Sequence, residues 1–320
     1  MTIAFTTALP EEGFKRLFAK DIGKREFEIG DFSDADILVS TFDYKVPAEM
    51  IASMPKLKLV ANFGAGFNNI DLEACKARGI RVTNTPEPVI EPTAELAFAL
   101  MIDIARRVSE FDRKMRGYGL PATGDGVEFG VMKNLSFSLY GKTLGIIGMG
   151  RIGQALARRA CSSGMTILYH NRHPLTNERM NELKSEGITA QYVDFQTLLQ
   201  QSDFVSLNLP YTPEVHHLIS KPELGMMKRT ACLINTARGA HVDEEALIEA
   251  LQCGIIRGAA LDVYEYEPSV SPELLKLDNV VLSPHTGTGT WEGRIAMCEN
   301  VVDNILAFVA KDESKMNIVL

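Results

Sequence analysis

Residues 143–164, TLGIIGMGRIGQALARRACSSG, set Gly148, Gly150 and Gly153 in the spacing G-x-G-x-x-G, directly after an apolar run and at the opening of a helical pattern. The spacing alone is common; its position between strand and helix is what constrains the fold. There the first glycine permits a tight turn, the second lets backbone approach a pyrophosphate, and the third lets the helix lie close on its strand. The helix N-terminus adds positive potential for an anion. A dinucleotide-binding α/β unit is the expectation.

The rest of the chain supplies the sheets that such a turn needs. At 320 residues it is long for one compact domain and comfortable for two. TIAFTTA, ADILVS, LKLVANFG and GIRVTN read as strands, and DLEACKARG as a helix closed by Gly79. This alternation implies a parallel sheet. Residues 93–109, TAELAFALMIDIARRVS, are apolar on nearly every face and read as a buried helix connecting two lobes. Residues 117–130, GYGLPATGDGVEFG, carry five glycines with little periodicity, which predicts an irregular arm. The rhythm restarts at KTLGIIG and continues through MTILYH, DFVSLNLP, ACLINTA, GAALDVY and NVVLSP, six runs suited to a doubly wound sheet. RIAMCENVVDNILAFVA has helical spacing and is expected to return to the first lobe.

Composition narrows the partners. A formal charge of −8, with no long Lys/Arg run, offers no field for nucleic acid or an anionic membrane. Five cysteines, at 75, 161, 232, 253 and 298, form no CxxC pair, so neither a disulfide framework nor a zinc knuckle is expected, and reduced thiols suit a cytoplasmic protein. MTIAFTTALPEEGF shows no basic leader, and the longest apolar run, residues 96–102, is too short to cross a bilayer. His170, His173, His216, His217 and His241 show no metal-ligand spacing; they are expected to face solvent, and no metal is expected.

The second strand of a dinucleotide fold normally ends in an acid that bonds the ribose hydroxyls and selects NAD. Here that stretch is ILYHNRHP, residues 167–174. Arg172 would pair with a 2′-phosphate, and Asn171 would bond it without repulsion, so NADP(H) is expected to be preferred and NAD(H) remains possible. The alternative is that Arg172 stacks on adenine or points to solvent, leaving dual specificity.

Ligands of open α/β sheets lie beyond the carboxyl ends of the strands. That rule selects Arg238 after ACLINTA, Asp262 at the end of GAALD, Glu267 in VYEYEP and His285 after NVVLSP. Their chemistry is complementary, because hydride reaching a carbonyl carbon leaves an alkoxide that needs a proton donor and a cation. His285 suits the first task, oriented by Glu267, and Arg238 suits the second through a bidentate grip on a carboxylate. A further turn, NFGAGFNNID, has Gly64 and Gly66 but no third glycine; it is either a plain turn or a nest of N–H groups for a carboxylate.

GKTLGIIGMGRIGQALARRA, LINTARGAHVDEEALIEAL, GAALDVYEYEP and LSPHTG together resemble the signatures of the D-isomer-specific 2-hydroxyacid dehydrogenases, over essentially the whole chain. The resemblance implies a Rossmann domain at 100–286 inserted in a flavodoxin-like substrate domain made of 1–99 and 287–320. It implies a catalytic set of Arg238, Glu267 and His285. Substrate carboxylate contacts would come from Ala65 and Gly66, and cofactor contacts from Arg151, Ile152, Pro210, Thr236, Ala237 and Asp262. It also implies a homodimer whose interface includes the Gly-rich arm. Formate dehydrogenases of the superfamily carry glutamine where Glu267 stands, and many NAD-dependent members carry aspartate near 171, so this chain is most similar to the glyoxylate and hydroxypyruvate reductases. Near the carboxylate turn, STFDYKVP and NFGAGF offer Phe42, Tyr44 and Phe63 with Lys45 as the one base, which predicts an uncharged substrate substituent, from glyoxylate up to phenylpyruvate. A rival reading of the same fold is a cofactor-sensing co-repressor, which would bind the nucleotide without turnover.

Overall fold

A computed structural model describes residues 1–20, 28–29, 32–117 and 129–320. The chain divides into two compact units, Met1–Pro92 with Thr288–Leu320, and Thr93–Gly287.

The smaller unit holds a parallel sheet of β1 (Ile3–Phe5), β2 (Glu28–Ile29), β3 (Ile37–Thr41), β4 (Leu59–Phe63) and β5 (Arg81–Thr83), in the order β2-β1-β3-β4-β5. This is the flavodoxin-like order. Every residue of β1, β3 and β4 is buried, which is why these strands read as continuous apolar runs rather than alternating ones. One core gathers Leu38, Val60 and Val82 with Ile51, Met54 and Ile80. The helix Trp291–Val309 belongs to this unit, as its spacing predicts. The chain end also returns here: Val319 N–H donates to Val82 O at 2.8 Å and Val82 N–H to Leu320 O at 3.1 Å, covering the outer edge of β5.

The larger unit holds β6 (Thr143–Ile147), β7 (Thr166–His170), β8 (Ala190–Tyr192), β9 (Phe204–Leu207), β10 (Cys232–Asn235), β11 (Gly258–Leu261) and β12 (Val280–Leu282), all parallel, in the order β12-β11-β10-β9-β6-β7-β8. The sequence predicts six of these seven strands. It misses β8, an edge strand whose residues Ala190, Gln191 and Tyr192 are all partly or fully exposed, so no apolar run marks it. Register decides where function gathers. Ile147 pairs with both His170 and Leu207, Leu207 with Asn235, Asn235 with Leu261, and Leu261 with Leu282. The carboxyl ends of six strands therefore finish side by side, and the order reverses at β6, the switch point at which such sheets bind ligands.

The predicted helix at 93–109 is in fact Ile90–Arg106, followed by a second helix, Val108–Met115. Arg107 separates them with a left-handed backbone, φ 60°, which ends the regular α-helical path. The division between the compact units, Pro92 to Thr93, falls inside the first helix. Most of the predicted Gly-rich arm, residues 118–128, lies outside the described residues. Among the described residues, no helix is long and apolar enough to cross a membrane.

Candidate active site

The glycine turn follows β6 as the motif requires. Gly148 has φ +97°, and a side chain there would place its Cβ 2.5 Å from the Asn208 carbonyl oxygen. A Cβ on Gly153 would come within 2.3 Å of the Gly148 oxygen, so the helix Arg151–Ser162 rests directly on the turn. A Cβ on Gly150, by contrast, would meet nothing within 4 Å. Gly150 is also the N-cap of that helix and offers no side-chain cap. Open space in front of uncapped helix donors suits a pyrophosphate. Arg151 and Ile152 are the first residues of the helix.

Asn171 does not simply face the ribose. Its Oδ1 accepts the Met149 N–H at 2.7 Å, so the residue that replaces the usual acid braces the glycine turn. The Asn171 amide nitrogen remains for a ligand. Arg172 is exposed and makes no hydrogen bond among the described residues.

At the far side of the switch point, Asn235 ends β10 and is buried. Its Oδ1 accepts the Ala237 N–H at 3.0 Å and its Nδ2 donates to Arg238 O at 2.9 Å, shaping the turn that presents Thr236, Ala237 and Arg238. Thr236 Oγ1 is buried without a hydrogen-bond partner among the described residues, an orphaned group that a bound ligand would satisfy. Arg238 is partly buried; burial lowers its pKa, and the Glu267 charge opposes that shift.

His285 and Glu267 meet as their positions at the strand ends predict. His285 Nδ1 lies 2.8 Å from Glu267 Oε2, with side chains 25% and 32% exposed. Glu267 Oε1 accepts the Tyr264 N–H at 2.8 Å, which fixes the carboxylate. Burial pushes the Glu267 pKa up, but the His285 hydrogen bond and charge outweigh it, and the net direction is down. His285 itself has a left-handed backbone, φ 55°. Asp262 holds it there: its backbone oxygen accepts the His285 N–H at 2.8 Å, and its two carboxylate oxygens accept Thr286 N–H at 2.7 Å and Gly287 N–H at 2.8 Å. Asp262 is buried and its carboxylate is engaged in this turn. Pro210 is exposed on the loop after β9.

In the smaller unit the Gly64–Gly66 turn is braced from behind. Asn62 Nδ2 donates to Gly64 O at 3.1 Å and Gly66 O at 2.8 Å, and Asn84 Nδ2 donates to Ala65 O at 2.8 Å. Three successive carbonyls are thereby satisfied, while the N–H groups of Ala65 and Gly66 take no partner among the described residues. Two adjacent N–H groups of this kind are what a carboxylate nest would use. The aromatic neighbourhood also holds a cation that local sequence did not reveal. Arg294, from the C-terminal helix, sits 5.6 Å from the Phe63 ring centre and 6.0 Å from that of Phe42. Burial lowers its pKa, and the Asp43 charge opposes the shift.

Asn62, Asn84, Asn235 and Arg294 are the contributors that sequence reasoning missed. For two of them a signal exists: an asparagine inside or ending an apolar strand, as in LVANF and CLIN, immediately before a functional turn. The histidines need correction as well. His241 is fully buried, and burial pushes its imidazole down to about 4. His170 is partly buried with Nδ1 3.0 Å from Val193 O, and His217 pairs with Glu265.

Residues 98–287 match the family profile of the D-isomer specific 2-hydroxyacid dehydrogenase NAD-binding domain. A glyoxylate reductase of Thermococcus litoralis is 44% identical over 326 aligned positions, covering 99% of this chain and 96% of the relative. A crystal structure of the TT0316 protein of Thermus thermophilus superposes with a TM-score of 0.88 at 37% identity, over 100% of both chains. The NADPH-dependent glyoxylate/hydroxypyruvate reductase of Sinorhizobium meliloti, solved with NADP and malonate, has a TM-score of 0.80 at 32% identity, covering 97% of this chain and 93% of that one. With a profile spanning more than half its length and near-full-length relatives, the chain belongs to the D-isomer-specific 2-hydroxyacid dehydrogenases, enzymes that use a nicotinamide dinucleotide.

Proposed function

We propose that this enzyme reduces small 2-oxo acids with uncharged substituents, glyoxylate and hydroxypyruvate foremost and up to the size of phenylpyruvate, to D-2-hydroxy acids, preferring NADPH while accepting NADH. The observation that carries this reading is the His285–Glu267 pair at 2.8 Å, within electrostatic reach of Arg238, on the sheet edge that also bears the glycine turn. A bound nicotinamide supplies the hydride for the carbonyl carbon. His285 gives the proton: Nδ1 is committed to Glu267, so Nε2 is the nitrogen that serves the carbonyl oxygen as negative charge develops there. Arg238 pairs with the substrate carboxylate and polarises the adjacent oxygen. Ala65 and Gly66, in the smaller unit, carry the further carboxylate contacts that the family resemblance implies. Asp262 holds the His285 turn, and with Pro210, Thr236 and Ala237 it would hold the nicotinamide end of the cofactor. The co-repressor reading leaves Arg238, Glu267 and His285 without a task.

Support for NADPH comes from exposed Arg172 and from Asn171, which places no negative charge beside a 2′-phosphate. The Sinorhizobium relative is named as NADPH-dependent. Support for an uncharged substituent comes from Phe42 and Phe63, with the charge of Arg294 opposed by Asp43.

Initial rates with NADPH and NADH across glyoxylate, hydroxypyruvate, pyruvate, phenylpyruvate and 3-phosphohydroxypyruvate test both points. The expected result is a higher kcat/KM for NADPH, which Arg172→Ala lowers about tenfold while leaving NADH nearly unchanged, in line with about 1.4 kcal/mol for one charge-assisted contact. A preference for NADH, or a ratio indifferent to Arg172→Ala, would overturn the cofactor assignment. Fastest turnover of the phosphorylated acid would overturn the substrate assignment.

A further inference from the structure

The loop after β9 carries side chains that the proposed reduction does not use. His217 has φ 51°, an uncommon conformation for a residue with a Cβ. Its N–H is tied to Ala240 O at 2.9 Å. The His217 ring lies face to face with that of His216, centroids 4.0 Å apart and planes 20° apart. Its Nε2 also lies 2.6 Å from Glu265 Oε1. As a result, one ligand atom from each of His216, His217 and Glu265 falls within 4.8 Å of the other two.

Each outer ligand is braced in turn. The Tyr211 hydroxyl lies 3.3 Å from His216 Nδ1, and Glu265 Oε2 accepts the Glu244 N–H at 3.1 Å from the first residue of the helix Glu244–Gln252. Outer hydrogen bonds of this kind orient imidazole and carboxylate ligands in metal sites. The buried Glu244 carboxylate accepts the Glu265 N–H at 3.2 Å, adding a second acid to the neighbourhood. A hydrogen-bonded His217–Glu265 pair is complete without His216, whose ring places a second imidazole nitrogen within 4.8 Å of both ligand atoms.

Two imidazole nitrogens and one carboxylate oxygen form a donor set for zinc-class ions, whereas magnesium and calcium favour oxygen alone. Three protein ligands also leave a position for water. We infer that His216, His217 and Glu265 form a binding site for a divalent transition-metal ion of the zinc class on the loop between β9 and the helix Lys221–Met226. A bound ion would cross-link that loop, with Pro210 and Tyr211, to the segment that follows β11.

Isothermal titration of the full chain with zinc chloride and, separately, magnesium chloride tests the site, with cobalt(II) absorption as the spectroscopic readout. The expected result is one zinc per chain, no response to magnesium, and affinity reduced at least tenfold, the lower bound for disturbing such a site, by His216→Ala and by Glu265→Gln. His216 is exposed, so its variant keeps the fold, and near-ultraviolet circular dichroism checks each protein. Cobalt should give the visible bands of nitrogen and oxygen ligands. The inference is overturned if zinc does not bind, if His216→Ala binds it unchanged, or if cobalt shows a thiolate charge-transfer band, which would point to exposed Cys253 instead.

Discussion

At His285 the ring and the backbone are held by different partners. Glu267 fixes the ring, while Asp262 fixes the turn through three N–H groups. The two functions are therefore separable by substitution. Asparagine tolerates left-handed backbone, so His285→Asn should leave the turn in place, lower kcat by about 10²–10⁴-fold, and leave NADPH affinity, read by fluorescence titration, within about twofold. Asp262→Ala should behave differently. It removes the two backbone hydrogen bonds to the carboxylate, each worth about 1.5–3 kcal/mol, together with a longer one from the Thr286 hydroxyl, and should lower both the melting temperature and kcat. Equal melting temperatures for Asp262→Ala and wild type would show that Asp262 does not organise the turn. Arg238, Glu267 and His285 are legible in the sequence because each is a charged or titratable residue just past an apolar strand. Asn62 and Asn235 are marked only by their place in or at the end of an apolar strand, and an uncharged polar residue there has no assignable task until the carbonyls around it are seen.

Among the elements, the helix Val108–Met115 illustrates how local sequence hides a boundary. The apolar pattern runs through Arg107 unbroken, yet Arg107 turns left-handed and its guanidinium grips Glu110, with Nη2 to Oε1 at 2.5 Å and Nε to Oε2 at 2.6 Å. Lys114 reaches the same carboxylate from the next turn. The Arg107 hydrogen bond, reinforced by Lys114 against the cost of burial, pulls the Glu110 carboxyl from 4.5 down to about 2. Because the folded value is depressed, the stabilisation is complete above the unfolded value and is lost as pH falls through the folded one. Wild type should melt higher than Glu110→Gln at pH 7, the gap should shrink between about pH 4.5 and 2, and it should vanish near pH 2. A pH-independent gap would mean that packing, not charge, is responsible. The same limit on local reading explains β8. Period and apolarity identify buried central strands with ease, while a short polar edge strand is defined only by its neighbour, here the pairing of Tyr169 with Tyr192.

For the whole molecule, the two parallel sheets follow from apolar runs alternating with helical spacing; their strand orders and the exact division between units are properties of packing that no single residue announces. At the end of the arm and just after it, Phe129, Val131, Met132, Leu135 and Tyr140 are 88%, 94%, 75%, 56% and 79% exposed. We propose this apolar stretch as part of the homodimer interface that the family resemblance implies, since exposed apolar patches commonly serve interaction. Sedimentation velocity should give twice the monomer mass at micromolar concentration, and Val131→Glu with Met132→Glu should shift it toward monomer; a monomeric wild type would end the proposal. Net charge bears on the substrate too. At −8 the chain as a whole repels 2-oxo acids, so their capture depends on short-range donors. In the proposed carboxylate contacts at Ala65 and Gly66 those donors are peptide N–H groups, which take no partner among the described residues, while Asn62 and Asn84 occupy the carbonyls behind them. Such a cradle has no proton to gain or lose between pH 4 and 10, so the grip it offers an anion is the same throughout that range, and any pH optimum of this enzyme must be traced to ionisable side chains elsewhere.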